Sequence, residues 1–136
     1  MSTFVDTSAL FAVLDRDDEH HEAAAACWRS LMEEEPPLLA SNYVLLETVA
    51  LVQRRLGKAA VAALRNDVFP TLAVFWVDET LHERAMAALV ASRQREVSLV
   101  DWVSFEGMRE RGLRRAFAFD RHFTEQGFQV IPASGR

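Results

Sequence analysis

A single cysteine, Cys27, is present, so no internal disulfide can form and nothing points to an oxidising compartment. There is likewise a single lysine, Lys58. No apolar run approaches the ~18 residues of a membrane-spanning helix, which argues against a membrane partner. The start runs directly into Thr3-Phe4-Val5-Asp6, without a basic leader and apolar stretch. The expectation is a cytoplasmic protein. Repeats, low-complexity tracts and linkers are also missing, so one domain over residues 1–136 is expected. A chain of this size buries roughly two-thirds of its unfolded surface and needs no covalent staple.

What is present is ordinary globular composition, half apolar and about a quarter charged. The net charge of −5 weighs against a nucleic-acid partner, but its distribution is uneven. Up to Glu47 only Arg16 and Arg29 are cationic. Between residues 84 and 121 stand Arg84, Arg93, Arg95, Arg109, Arg111, Arg114, Arg115 and Arg121, against Glu96, Asp101, Glu106, Glu110 and Asp120. If a cation neutralises Asp101 and Asp120, this stretch becomes basic. It is then either a phosphate-binding face or solvated helix surface.

Short apolar strands alternate with helices along the chain. Strands are expected at Thr3–Asp6, Leu38–Ala40, Ala73–Val77, Arg115–Phe119 and Phe128–Ile131. Helices are expected over Thr7–Leu14, His20 to about Glu35 with a stop at Pro36-Pro37, Tyr43–Leu56 and Lys58 to about Phe69. Gly57 ends the third of these. A capping box at Thr80 and Glu83 opens another helix to about Ser92, and Ser98 opens one that runs to Arg111. A short helix precedes the last strand. This order predicts an α/β fold, a three-layer α/β/α sandwich around a parallel sheet of about five strands.

Four acids stand out against that frame. Asp6 and Asp120 directly follow apolar strands, and ligands of open parallel sheets bind beyond the carboxyl ends of strands where their order reverses. Glu47 and Asp101 fall in the first two turns of helices, whose N-termini lie at the same edge. Each close pair of carboxylates costs about 1 kcal/mol in water and about 4 at an effective dielectric of 20. A hard divalent cation, Mg²⁺ or Mn²⁺, removes that cost and supports phosphodiester hydrolysis. Taken singly, Asp6 and Asp120 also sit where an N-cap would, and Ser98 with Asp101 has capping-box spacing. Glu47 has Tyr43, Val44, Ala50 and Leu51 as same-face neighbours, so it is either on a solvated edge or paired.

The segments Val5-Asp6-Thr7-Ser8-Ala9-Leu10, Leu45-Leu46-Glu47-Thr48, Ser98-Leu99-Val100-Asp101 and Ala118-Phe119-Asp120-Arg121-His122-Phe123 occur in this order, with Gly127-Phe128 after them. In them the chain resembles PIN-domain nucleases, most closely the VapC-type toxins of toxin–antitoxin pairs. The resemblance spans nearly the whole chain. It implies a PIN fold, a Mg²⁺- or Mn²⁺-dependent endoribonuclease acting on RNA, a protein antitoxin as partner, and a homodimer. Asp6, Glu47, Asp101 and Asp120 fall on the family's acidic positions. The resemblance makes Asp6 and Asp101 the leading metal contacts, with Asp120 completing the site and Glu47 acting through water. Ser8 falls on the family's small hydroxyl position. The chain departs from many relatives at Trp102-Val103-Ser104-Phe105, where Ser104 offers only a hydroxyl in place of an occasional further acid. That argues against a second tightly held ion.

His122, two residues from Asp120, is a candidate for contact with phosphate or a leaving group. His20 and His21 read as surface histidines, Cys27 as buried filler, and Trp28, Trp76 and Trp102 as core. Arg54 and Arg55 face RNA or solvent. A phospho-receiver module also clusters aspartates at strand ends, but it needs a lysine after a late strand, and Lys58 lies between helices. A PIN-like domain that binds RNA or a partner without cutting remains the alternative to the nuclease.

Overall fold

The computed structural model describes residues 1–34 and 37–133. Strand β1 (Thr3–Val5) passes into helix α1 (Thr7–Leu14), and α2 (His21–Glu33) leads to β2 (Leu38–Ser41). Helices α3 (Asn42–Leu56) and α4 (Lys58–Ala63) precede β3 (Leu72–Phe75). Then follow α5 (Glu79–Ala91), α6 (Leu99–Glu110), β4 (Arg115–Phe117), α7 (Arg121–Glu125) and β5 (Gln129–Ile131). The strands form one parallel sheet in the order β3-β2-β1-β4-β5, within a three-layer α/β/α sandwich. The chain builds outward from β1 to β3, returns, and continues from β4 to β5. The order therefore reverses between β1 and β4, as expected for the crevice that Asp6 and Asp120 were to share.

Strands β1, β3 and β4 end earlier than their apolar patterns suggest, while β2 runs one residue further; hydrogen bonds explain two of the early ends. The Phe119 N–H donates to the Ser8 hydroxyl, 2.9 Å away, so β4 stops at Phe117. The Val77 N–H donates to the Asn42 side chain at 2.7 Å, and β3 stops at Phe75. The expected Thr80–Glu83 box does not open α5. Asp78, closer to the strand and carrying a charged acceptor, caps it by accepting from the Leu81 N–H at 2.9 Å. The expected helix to Phe69 gives way after Ala63 to a π turn over Leu64–Val68 and a 3₁₀ turn over Phe69–Thr71, where Pro70 can donate no backbone bond. α2 ends at Glu33; Glu35 and Pro36, where its stop was expected, lie outside the described residues.

The core sits on β1 and β4, where Phe4, Val5, Ala116 and Phe117 are fully buried. Phe105 of α6 and Phe123 of α7 meet edge-on at 5.1 Å, and Phe123 reaches Phe4 at 6.2 Å, tying both helices to the sheet's centre. No helix among the described residues is long and apolar enough to cross a membrane. α6 approaches closely enough that a Cβ on Gly107 would lie 3.0 Å from two ring atoms of Phe75. That ring is covered by the Arg111 guanidinium at 3.8 Å, which leaves it little room to move.

Gly107→Ala is therefore expected to destabilise the protein by about 1 kcal/mol net, overpacking outweighing the gain in helix propensity. Urea unfolding would check this, and an alanine variant more stable than its parent would show that Phe75 yields.

Candidate active site

Three of the four acids hold their positions because they cap helices. Asp6 caps α1: its Oδ2 accepts from the Ser8 N–H at 3.0 Å and from the Ser8 hydroxyl at 2.6 Å. Asp120 caps α7, its Oδ1 accepting from the His122 N–H at 2.8 Å. Asp101 closes the capping box of α6: its Oδ2 accepts from the Ser98 N–H at 3.0 Å while the Ser98 hydroxyl accepts from the Asp101 N–H at 3.1 Å. The box expected from the Ser98–Asp101 spacing is therefore formed, with aspartate in place of the usual glutamate. In each case one carboxylate oxygen is engaged, and the other has no hydrogen bond among the described residues. Glu47 lies in the second turn of α3. Its helix is held against α1 by the Thr7 and Thr48 hydroxyls, 3.0 Å apart, and by the Thr7 hydroxyl, which lies 3.4 Å from the Val44 carbonyl.

The four acids line one cleft of about 490 Å³ together with Thr7, Ser8 and Ser98. Capping and convergence thus coexist. The cleft also takes in residues that the sequence reading did not assign to it: Glu96, Ala50, Leu51 and Arg54. The α3 contribution was legible in principle, because residues 47, 50, 51 and 54 share one helical face. Glu96 carried no such signal, since it lies in the irregular segment before α6.

Crowding and burial act on these carboxyls in one direction. Asp6, 4% exposed, is pushed up to about 7, chiefly by burial, against the opposing bonds from Ser8 and with Asp101 and Glu47 adding to the rise. Burial also raises Glu47, and the charges of Asp101 and Asp120 raise it further. Asp101 is raised by burial and by Asp120, against the Ser98 N–H and the His122 charge. Such a set suits a hard cation with oxygen ligands, which removes the mutual repulsion. Asp101, Asp120 and His122 each offer a ligand atom within 4.8 Å of the others.

His122 is 9% exposed. Its Nε2 stands 3.6 Å from Asp120 Oδ1 and its Nδ1 stands 3.3 Å from Glu125 Oε1. Ser104 is fully buried, donates its hydroxyl to the Val100 carbonyl at 2.9 Å, and is not among the residues lining the cleft. Trp28 and Trp102 pack on the core as expected, but Trp76 does not: it is 74% exposed just past the end of edge strand β3. Most of the arginines between 84 and 121 are engaged. Arg84, Arg109, Arg111, Arg115 and Arg121 pair with carboxylates on the protein itself.

Comparison with known proteins agrees with this fold. The model of the PIN domain family matches residues 3–129. The 23S rRNA-specific endonuclease VapC20 of Mycobacterium tuberculosis is 41% identical over 95 residues, covering 69% of this chain and 72% of that protein. Its crystal structure, described as that of a Sarcin-Ricin loop cleaving toxin, superposes with a TM-score of 0.82 at 39% identity, over 93% of this chain and 95% of the other. DNA-bound VapBC from Salmonella typhimurium (TM-score 0.66, 18% identity, 96% and 97% covered) shares the fold. So does FitAcB from Neisseria gonorrhoeae (TM-score 0.69, 17% identity, 96% of both chains).

The raised Asp6 has a thermodynamic consequence in metal-free protein. Its folded pKa lies above the unfolded value of 3.8, so the folded state holds the extra proton between about pH 4 and 7. Stability from this group is present below pH 4 and is lost as pH rises towards 7. Asp6→Asn keeps an acceptor for the cap and removes the buried charge. In chelator it should stabilise the protein by about 2 to 4 kcal/mol at pH 8 and by little at pH 4. Equal effects at both pH values in urea titrations would contradict the burial account of Asp6.

Proposed function

Because this chain belongs to the PIN-domain family, we propose that it is a divalent-metal-dependent endoribonuclease, the toxin of a toxin–antitoxin pair. The observation that carries the reading is the convergence of Asp6, Glu47, Asp101 and Asp120 in one cleft at the sheet's carboxyl edge. On this reading residues 1–136 act as one domain, as a homodimer, in the cytoplasm where the RNA is, with activity held off by a protein antitoxin. The identity shared with VapC20, named a 23S rRNA-specific endonuclease, makes structured ribosomal RNA of the sarcin–ricin type the first substrate class to test.

The unshared oxygens of Asp6, Asp101 and Asp120 would hold Mg²⁺ or Mn²⁺, and the His122 imidazole stands close enough to Asp101 and Asp120 to join them. A divalent cation bound there lowers the pKa of water and offsets charge developing on the phosphate. The protein's own groups do the rest. Ser8 fixes the orientation of the Asp6 carboxylate by donating to one oxygen only. Ser98 does the same for Asp101. Glu47 faces the same cleft, where its carboxylate can accept the proton of the attacking water. The apolar Ala50 and Leu51 flank it and limit bulk water on that wall.

The test is cleavage of a sarcin–ricin stem-loop RNA in Mg²⁺ or Mn²⁺, with metal binding followed separately by Mn²⁺ electron paramagnetic resonance. Asp6→Asn and Asp101→Asn should each lower the cleavage rate at least a hundredfold, on the order of the losses seen at metal sites, and weaken Mn²⁺ binding. Equal cleavage by parent and variants would sink the site assignment. RNA bound tightly by the parent but never cut would favour the non-cleaving binder.

A further inference from the structure

α3 turns one stripe towards the cleft. Glu47, Ala50, Leu51 and Arg54 all line it, at the spacing of a single helical face. Seven residues separate Glu47 from Arg54, about 10 Å along the helix axis. The acids gather at the amino-terminal end of this stripe, and Arg54 stands at the other. It is the one cation among the described residues lining the cleft.

An arginine beside carboxylates ordinarily pairs with them in a bidentate fork. Arg54 has no ion pair among the described residues, although Glu47 and Glu96 line the same cleft. Its neighbour Arg55 differs, lying over the Phe11 ring at 5.9 Å. The arginines between 84 and 121 that were candidates for a basic face are mostly neutralised by partners. Arg54 is exposed, with its five donors uncommitted among the described residues. A polyanionic substrate entering an otherwise acidic cleft meets this guanidinium about two helical turns beyond Glu47.

We propose that Arg54 is a positioning residue that binds an RNA phosphate flanking the scissile one and so sets the strand's register in the cleft. The proposal rests on the ribonuclease reading above. It competes with a local role, since Arg54 lies in the last turn of α3, where a cation offsets the helix dipole. A dipole role touches stability and leaves RNA affinity alone.

The experiment measures binding of fluorescein-labelled sarcin–ricin stem-loop RNA by fluorescence anisotropy, in an Asp101→Asn background so that no cleavage intervenes. Arg54→Ala should weaken binding about tenfold, the scale of a charge-assisted hydrogen bond. The slope of log affinity against log salt should fall by about 0.7 to 0.9, the loss of one phosphate contact. Arg54→Lys should recover the slope but only part of the affinity, because a point charge replaces the fork. Arg55→Ala should leave both unchanged. RNA binding by the parent with an unaltered salt slope in Arg54→Ala would overturn the assignment of Arg54 alone, as would a loss of thermal stability without a loss of affinity. A wild-type chain that neither binds nor cuts this RNA would overturn the ribonuclease reading together with this one.

Discussion

The Ser8 hydroxyl sits where the two halves of the sheet meet. It accepts from the Phe119 N–H and donates to the Asp6 carboxylate, at 2.9 and 2.6 Å. That pair of bonds joins the end of β1 to the segment just past β4, across the point where strand order reverses. Had Phe119 continued the ladder, β4 would run two residues further and Asp120 would be carried along it. Drawing that N–H to a side chain ends the strand and turns the chain into α7, with Asp120 at its cap. The same hydroxyl supplies a donor to a carboxylate that is almost wholly out of water, which limits the desolvation penalty without neutralising the charge. One small side chain thus sets the end of a strand, the start of a helix and the orientation of an acid.

Capping and site formation are often weighed as rival explanations for an acid at a helix start. Here the two roles divide between the two oxygens of one carboxylate. Asp6, Asp101 and Asp120 each commit one oxygen to backbone N–H groups. That bond fixes the side-chain torsions and leaves the second oxygen in a defined direction. A flexible carboxylate would lose rotamer freedom on gathering with others; a capping one has lost it already in folding. The helix N-termini also place partial positive charge behind each acid, which partly offsets the crowding at the sheet edge. Glu47 lacks a cap. It depends instead on the Thr7–Thr48 contact that clamps α3 to α1.

Much of this was legible because it follows from short-range rules. Apolar strands ending in Asp6 and Asp120 and a helical stripe through Glu47 survive any reasonable packing of a parallel sheet. The strand order placed β1 beside β4, as the crevice argument required. The illegible parts depend on partners distant in sequence. β3 ends early because Asn42, 35 positions away, takes the Val77 N–H. The aromatic content of Trp76 suggested core, yet edge strand β3 leaves it facing outward. The arginines between 84 and 121 suggested a face, but their partners lie within one turn of the same helix or on another element. Arg84 reaches across to Glu106 and Glu110, and Arg115 to Glu34. Glu96 enters the cleft only because the segment before α6 brings it there, and no local pattern encodes that path.

The charge balance constrains how such a cleft can serve an RNA substrate. Five carboxylates line it against one guanidinium, on a chain whose net charge is already −5. Each close approach of a phosphate to an uncompensated carboxylate costs about 1 to 4 kcal/mol, depending on how much water remains. A cleft in this state repels a polyanion. Protonating Asp6, whose pKa stands near 7, relieves only part of the repulsion, and a bound divalent cation relieves far more. On the proposed reading, affinity for RNA and occupancy by a cation are coupled through shared charge: whichever arrives first lowers the cost of the other. Among the described residues lining the cleft Arg54 is the one cation, and five of the eight arginines between 84 and 121 pair with carboxylates elsewhere. Hence the contribution of each uncommitted one is large relative to the total, and the position of Arg54 on the same helical stripe as Glu47 ties substrate placement to the placement of the acids.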